Sequence, residues 1–390
     1  MGTRKYAVAA IVVTALAAGA APASAGPAQA DFVPATRPVP GSFLVSLEGG
    51  DARVASAGLA DRYGGTVERV FTVAMNGFLV HGLSDRQARR LAADPAVRSV
   101  HQDGTSRLAD TQTNPTYGID RVDQRALPLD RRYSYNTTAA TVTTYVLDTG
   151  IRKTHTDFEG RVSDGYDFVD DDKVAQDCHG HGTHVAGTIG GKRWGVAKKT
   201  KLVALRTFDC AGTGPDSDGV AAIEWVAKNA VKPAVVNGSF TFDTPGIGDE
   251  AIGRLTAAGI AFVVAAGNDS SDACGVGPSR HPDVVSVGAT DSGDNRAYFS
   301  NYGTCVDVFA PGDGVTSASY ASDTASTSMS GTSMASPHVA GGAALYLATN
   351  PTATPAQVRA ALTGAATPNV VKNRGTGSPN RLLYTAGFGA

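Results

Sequence analysis

Between residues 142 and 265 the chain alternates apolar runs with stretches of helical spacing, and that alternation leaves few folds open. Val142-Thr143-Thr144-Tyr145-Val146-Leu147, Lys201-Leu202-Val203-Ala204-Leu205, Ala234-Val235-Val236-Asn237 and Ile260-Ala261-Phe262-Val263-Val264-Ala265 are near-continuous runs, not alternations of polar and apolar residues. Strands of that kind need cover on both faces. Residues 218–229 and 248–258, lying between them, carry apolar residues at helical spacing and supply the cover. The expected fold is α/β, a doubly wound, mainly parallel sheet flanked by helices. Its working edge should lie at the carboxyl ends of the strands.

The amino terminus reads as an export signal over residues 1–25. Arg4 and Lys5 precede an uncharged run from Ala7 to Ala20, and Ala23-Ser24-Ala25 offers a small-x-small cleavage site, with Ala28-Gln29-Ala30 as a second. A membrane anchor needs about 20 apolar residues, and this run is shorter and ends in Pro, Ser and Gly. The expected location is therefore extracellular, with no membrane association after signal removal. Hydrophobic residues make up 42% of the chain and charged residues 18%, which suits a globular protein with an ample core. The formal net charge of −2 provides no attraction to nucleic acid. Cys178, Cys210, Cys274 and Cys305 form an even set in an exported chain, so two disulfides are expected, with three connectivities open. No C-x-x-C pair favours a metal instead.

Residues from about 40 to 103 read as a separate small α+β unit. Residues 43–47, 75–81 and 97–101 have strand character. Ser84 and Gln87 form a capping box for a helix through Leu91. Gly104 to Ala109 is a small, polar linker suited to cleavage, and a second unit runs from 110 to 390. Near its end, Thr354-Pro355-Ala356-Gln357 is another capping box, with Pro at the first helical position.

Three motifs set a reactive side chain beside small residues: Val146-Leu147-Asp148-Thr149-Gly150, His181-Gly182-Thr183-His184-Val185-Ala186-Gly187 and Gly331-Thr332-Ser333-Met334-Ala335-Ser336-Pro337. Ser333 precedes an apolar helix and so sits where free N–H groups favour negative charge. A hydroxyl nucleophile needs a base, and the base needs an acceptor that fixes its tautomer. His179, His181 and His184 could instead suggest zinc, but no H-E-x-x-H pattern accompanies them.

In these motifs and their order the chain resembles the subtilisin-family (subtilase) serine endopeptidases, nearest in pattern to the proteinase K and aqualysin branch. The resemblance implies that Asp148 orients His181, that His181 is the base and that Ser333 is the nucleophile. Asn268, after Ala265-Ala266-Gly267, matches the oxyanion-hole asparagine. His184 should pack internally, and His179 has no role in the family pattern. Gly212-Thr213-Gly214 matches the segment that pairs with substrate backbone, and Ala265, Ala266 and Gly267 are expected as further substrate contacts. The opposite wall departs from the usual Ser-Leu-Gly-Gly and reads Ser239-Phe240-Thr241-Phe242, which implies a first specificity pocket narrower than the family's.

The likeness further implies sequential disulfides, Cys178 with Cys210 and Cys274 with Cys305. Structural calcium would be held by Asp120, Asp123, Gln124 and Asp130, and at a second site by Pro282, Val284 and Asp307. Residues 26–109 would be a propeptide that inhibits the enzyme until removed, and the expected product is a monomer acting on proteins and peptides. Two alternatives stand beside this reading: an accessory domain retained at the amino terminus, and a non-catalytic peptide-binding relative.

Overall fold

A computed structural model describes residues 31–35, 37–105 and 109–389; the expected signal segment 1–25 and part of the expected linker lie outside the described residues. The chain divides into two compact units, residues 1–105 and 106–390.

In the first unit the elements run β1 (Asp31–Val33), β2 (Pro38–Leu47), α1 (Ala52–Tyr63), β3 (Thr66–Phe71), β4 (Gly77–His81), α2 (Asp85–Ala92) and β5 (Val97–Gly104). The five strands form one sheet in the order β1-β5-β2-β4-β3. Phe43, Val45, Phe78, Val80 and Leu91 are fully buried in a core that this unit makes for itself. The Ser84–Gln87 capping box forms at the start of α2. Helix α1 has little signal in the sequence because it buries mostly small side chains, Ala52, Ser56 and Ala60 with Leu59.

The second unit opens with β6 (Asp110–Thr113), α3 (Tyr117–Val122) and β7 (Arg132–Tyr135), followed by β8 (Thr143–Asp148), β9 (Val162–Asp167), α4 (His181–Gly190) and β10 (Lys201–Arg206). It continues through α5 (Asp216–Asn229), β11 (Ala234–Gly238), α6 (Asp249–Ala257), β12 (Ala261–Ala265), β13 (Val285–Thr290) and β14 (Val308–Pro311). The short pair β15 (Val315–Ala318) and β16 (Ser326–Met329) leads to α7 (Thr332–Thr349), α8 (Pro355–Ala365), β17 (Thr367–Pro368) and β18 (Arg381–Leu382).

Nine strands make the main sheet, in the order β17-β18-β14-β13-β12-β11-β8-β10-β9. Every pairing in it is parallel except β17 with β18. Successive residues of the central strands point to opposite faces, which explains their unbroken apolar character. Val146, Val235 and Val263 join one core with Val185 of α4 and Val339 of α7. Leu147, Val236, Phe262 and Val264 join a second core with Ile223 of α5 and Ile252 and Leu255 of α6. Truncating a fully buried ring such as Phe262 to Ala costs about 3–5 kcal/mol. Disulfides join Cys178 to Cys210 and Cys274 to Cys305, the sequential pairing that the resemblance implied. Among the described residues no helix is long and apolar enough to cross a membrane.

Candidate active site

The motif residues gather at the carboxyl edge of the main sheet. Asp148 ends β8, His181 opens α4, and Ser333 is the second residue of α7. His181 Nδ1 lies 2.7 Å from Asp148 Oδ1 and 3.0 Å from Oδ2. The aspartate side chain is 2% exposed and the imidazole 24%, so one is shielded and the other open to the cleft. Burial pulls the His181 pKa down, but the charge and hydrogen bond of Asp148, helped by Asp177, outweigh it and hold the pKa above the ordinary value of 6.5. His184 is buried, with Nε2 at 2.9 Å from the Val315 carbonyl, and desolvation lowers its pKa to about 4. It is a packed, neutral histidine, as expected. His179 is exposed, and its ring lies 6.4 Å from that of His181 on the cleft wall.

Asp177 is the main residue that sequence reasoning missed. Its carboxylate accepts from the backbone N–H groups of His179, Gly180 and Thr183, and from the hydroxyls of Thr149 and Thr183. Thr149 Oγ1 in turn accepts from Gly182 N at 3.0 Å. The turn after Asp148 and the start of α4 thus share one buried anchor, which fixes the approach of imidazole to carboxylate. The Cys178–Cys210 bridge adds a covalent tie from this loop to the chain just before Gly212.

Ser333 is held by an exchange with Ser239. Ser239 Oγ donates to the Ser333 carbonyl at 2.8 Å, and Ser333 Oγ donates to the Ser239 carbonyl at 3.0 Å. Pro337 explains the first bond: four residues on in α7, it lacks the N–H that would otherwise take the Ser333 carbonyl. Asn237 supports the pair, donating from Nδ2 to Ser239 Oγ and accepting from Ser336 Oγ. Among the described residues no hydrogen bond joins Ser333 to His181; the hydroxyl is engaged with Ser239.

Asn268 sits beyond the end of β12, where its Oδ1 accepts from Thr332 N at 2.8 Å and from Thr332 Oγ1 at 2.9 Å. That grip leaves Nδ2 to face the opening of α7. A methyl group placed on Gly331 would lie 3.7 Å from Asn268 Nδ2 and 3.6 Å from Ser333 N. Both donors therefore face one small space, and Ser333 N–H is a first-turn group with no intrahelical acceptor. The arrangement can stabilise an oxyanion formed beside the Ser333 hydroxyl.

Two depressions flank the Phe240-Thr241 segment. One, about 310 Å³, is lined by Asp148, His179, His181, Phe208 and Gly212; the other, about 180 Å³, by Ala265, Gly267, Asn268 and Ser333. Thr213 and Gly214 are exposed on the open side, and Asp209 shapes their turn by accepting from Ala211 N and Thr213 N. The opposite wall is braced by Asn301, which donates to the Ala266 carbonyl. Thr241 is exposed, and its methyl would lie 3.6 Å from a Cβ added at Gly267, across the smaller depression. Phe242 behaves differently from a pocket wall. Its side chain is buried against Phe240 in the second core and against Gly219 and Gly248, and it lines neither depression, whereas Phe240 and Thr241 line both. Larger clefts of about 600 and 560 Å³ exist in this unit, but neither is lined by Asp148, His181, Asn268 or Ser333.

The two expected cation sites differ. At the first, Asp120 Oδ1 and Asp123 Oδ1 are buried without a hydrogen-bond partner. Burial and neighbouring carboxylates raise the Asp120 pKa to about 6 and that of Asp123 to about 7. Gln124 Oε1 accepts from Asp130 N and closes the loop. Hard, under-coordinated carboxylates in mutual repulsion suit a divalent ion, although no group of three or more His, Cys, Asp or Glu among the described residues is arranged to hold a metal by itself. At the second site the expectation needs correction. Arg359 Nη1 donates to the Pro282 carbonyl at 2.6 Å, and Nη2 and Nε reach Asp307 Oδ1 at 2.5 and 2.9 Å. A guanidinium already engages two of the three donors assigned to an ion, the Pro282 carbonyl and the Asp307 carboxylate.

Comparison with known proteins agrees with this architecture. The profile of the subtilase family, peptidase S8, matches residues 140–389. An extracellular serine proteinase of Thermus sp. (strain Rt41A) is 52% identical over 322 residues, 83% of this chain and 78% of that protein. Alkaline serine exoprotease A of Vibrio alginolyticus is 48% identical over 326 residues, 82% of this chain but 60% of its relative's length. A crystal structure of a cold-adapted subtilisin-like serine proteinase superposes with a TM-score of 0.68 at 48% identity, covering 70% of this chain and 99% of that one. Because the family profile takes in all nine strands of the main sheet and the sequence likeness reaches well into the first unit, the chain belongs to the subtilase family of serine peptidases.

Proposed function

We propose that this chain is a secreted serine endopeptidase made as a zymogen, cleaving peptide bonds through Asp148, His181 and Ser333. The observation that carries the reading is the Asp148–His181 pair set at the same sheet edge as a serine in the first turn of α7. Substrate binding would turn the Ser333 hydroxyl from Ser239 to His181 Nε2, a change between staggered side-chain positions. His181 then takes the proton as oxygen attacks the scissile carbonyl, and Asp148 stabilises the imidazolium without becoming protonated. Asn268 Nδ2 and Ser333 N–H receive the oxyanion. His181 returns the proton to the leaving amine, and water, deprotonated by the same ring, hydrolyses the acyl-enzyme.

The residue that supplies the scissile carbonyl must place its side chain in the depression beside Ser333 and Asn268. Thr241 makes that space small, so short side chains are the favoured substrates at this position. Gly212-Thr213-Gly214 would add the substrate backbone as a strand. The first unit, with its own core, fits a removable inhibitory propeptide ahead of a monomeric enzyme. Extracellular naming of the Thermus relative supports export. Asp120, Asp123, Gln124 and Asp130 would hold structural calcium, which stabilises the loop and takes no part in bond cleavage.

A serine-directed phosphonate probe tests the reading. Labelling of the processed protein at Ser333, absent in Ser333→Ala, is expected. Processed, folded protein that fails to label would favour a peptide-binding relative without activity.

A further inference from the structure

We infer that Arg359 is a built-in cation, and that the corner formed by Pro282, Val284 and Asp307 is stabilised by its guanidinium in place of calcium. The corner lies at the amino-terminal ends of β13 and β14, on the sheet edge opposite the catalytic one. Arg359 reaches it from α8, whose start is fixed by the Thr354–Gln357 capping box. The guanidinium spreads over both kinds of donor an ion would use, the Asp307 carboxylate and the Pro282 carbonyl. Asp307 Oδ2 is also committed, accepting from Ser286 N at 2.9 Å.

Charge points the same way. Asp307 is the one carboxylate among the three residues; burial raises its pKa, and the positive charges of Arg359 and Arg381 oppose that rise. A divalent ion entering here would have to displace Arg359 and would still face Arg381. The Asp120 array contrasts with it: buried carboxylate oxygens are unpaired there, and the nearby Arg121 guanidinium is turned away to Asp294 and the Gln124 carbonyl. One site calls for a cation, and the other contains one.

Guanidinium cannot be chelated and stays charged at all working pH. This corner should therefore keep its ties between α8, β13 and β14 in chelator, while the Asp120 loop loosens. Calorimetric titration with calcium chloride, read as ions bound per chain, tests the inference without using activity. The parent and Asp307→Asn should bind the same number of calcium ions. Arg359→Met, which keeps most of the aliphatic stem, should bind one more, with a dissociation constant of roughly 0.1–1 mM. Its melting temperature should fall in chelator and recover in calcium, and Asp307→Asn on top of it should abolish the recovery. One fewer ion bound by Asp307→Asn than by the parent would overturn the inference. No additional ion in folded Arg359→Met would overturn it as well.

Discussion

Ser239 and Ser333 exchange hydrogen bonds in both directions, hydroxyl to carbonyl each way, across the gap between β11 and α7. The pairing follows from Pro337, whose missing N–H leaves the Ser333 carbonyl open to the hydroxyl of Ser239. Ser239→Ala should lower stability by about 1–3 kcal/mol, because a shielded carbonyl loses its donor. Pro337→Ala restores a helical N–H for that carbonyl, so the double variant should recover part of the loss. Chemical denaturation of the four proteins in a cycle measures the coupling; strictly additive effects would show that the two residues act separately.

As the proposed base, His181 would set the acid limb of activity. Its pKa lies above 6.5 through the charge of Asp148 acting against burial. A base must be neutral to accept a proton, so activity should fall as pH drops through a midpoint above 6.5. Asp148→Asn removes the opposing charge and leaves burial dominant, so the His181 midpoint should move below 6.5. Imidazole NMR titration reads this directly. His184 and His338, both lowered to about 4, remain neutral across the window and will not confuse it.

In the proposed mechanism Asn268 donates its amide N–H only where charge develops. Asn268→Leu should lower kcat about 10²–10³-fold with little change in KM, the size of effect known for removing the corresponding donor from subtilisin. A comparable rise in KM instead would place Asn268 in ground-state binding.

Thr241 limits the smaller depression. Thr241→Gly should raise kcat/KM for phenylalanine relative to alanine at the cleaved residue by about 10-fold or more, within the range for methylene-scale changes in a pocket. Phe242→Leu should leave that ratio alone, because its ring is turned into the core. A peptide library with varied residues before the scissile bond measures both.

Calcium should protect through the Asp120 loop. At free calcium about 100 times its dissociation constant, a single site adds about 2.7 kcal/mol. The difference in melting temperature between calcium and chelator should shrink in Asp123→Asn. An unchanged difference would move the responsive site elsewhere.

Much of the fold can be read from sequence because its strongest signals are local. Both capping boxes, Ser84 with Gln87 and Thr354 with Gln357, form as written. The central strands follow from their continuous apolar runs, each residue serving one of two cores. Helix α1 is hard to read because Ala52, Ser56 and Ala60 make a weak apolar stripe. At the site, Asp177 and the pairing of Ser239 with Ser333 are hidden for another reason. Their contacts are chosen by the fold, and neither a turn-capping aspartate nor a strand-end serine advertises a partner across the chain. Arg359 carries no signal at all, since a basic residue on a half-exposed helix reads as a solvated one.

The Cys178–Cys210 bridge puts the imidazole's loop and the strip proposed to receive the substrate backbone on a single leash. Cutting it with a reductant would let the proton acceptor and the docking rail drift independently while the nine-stranded sheet stayed packed. Misalignment of catalysis should therefore precede melting, and the molecule is best suited to surroundings poor in thiols.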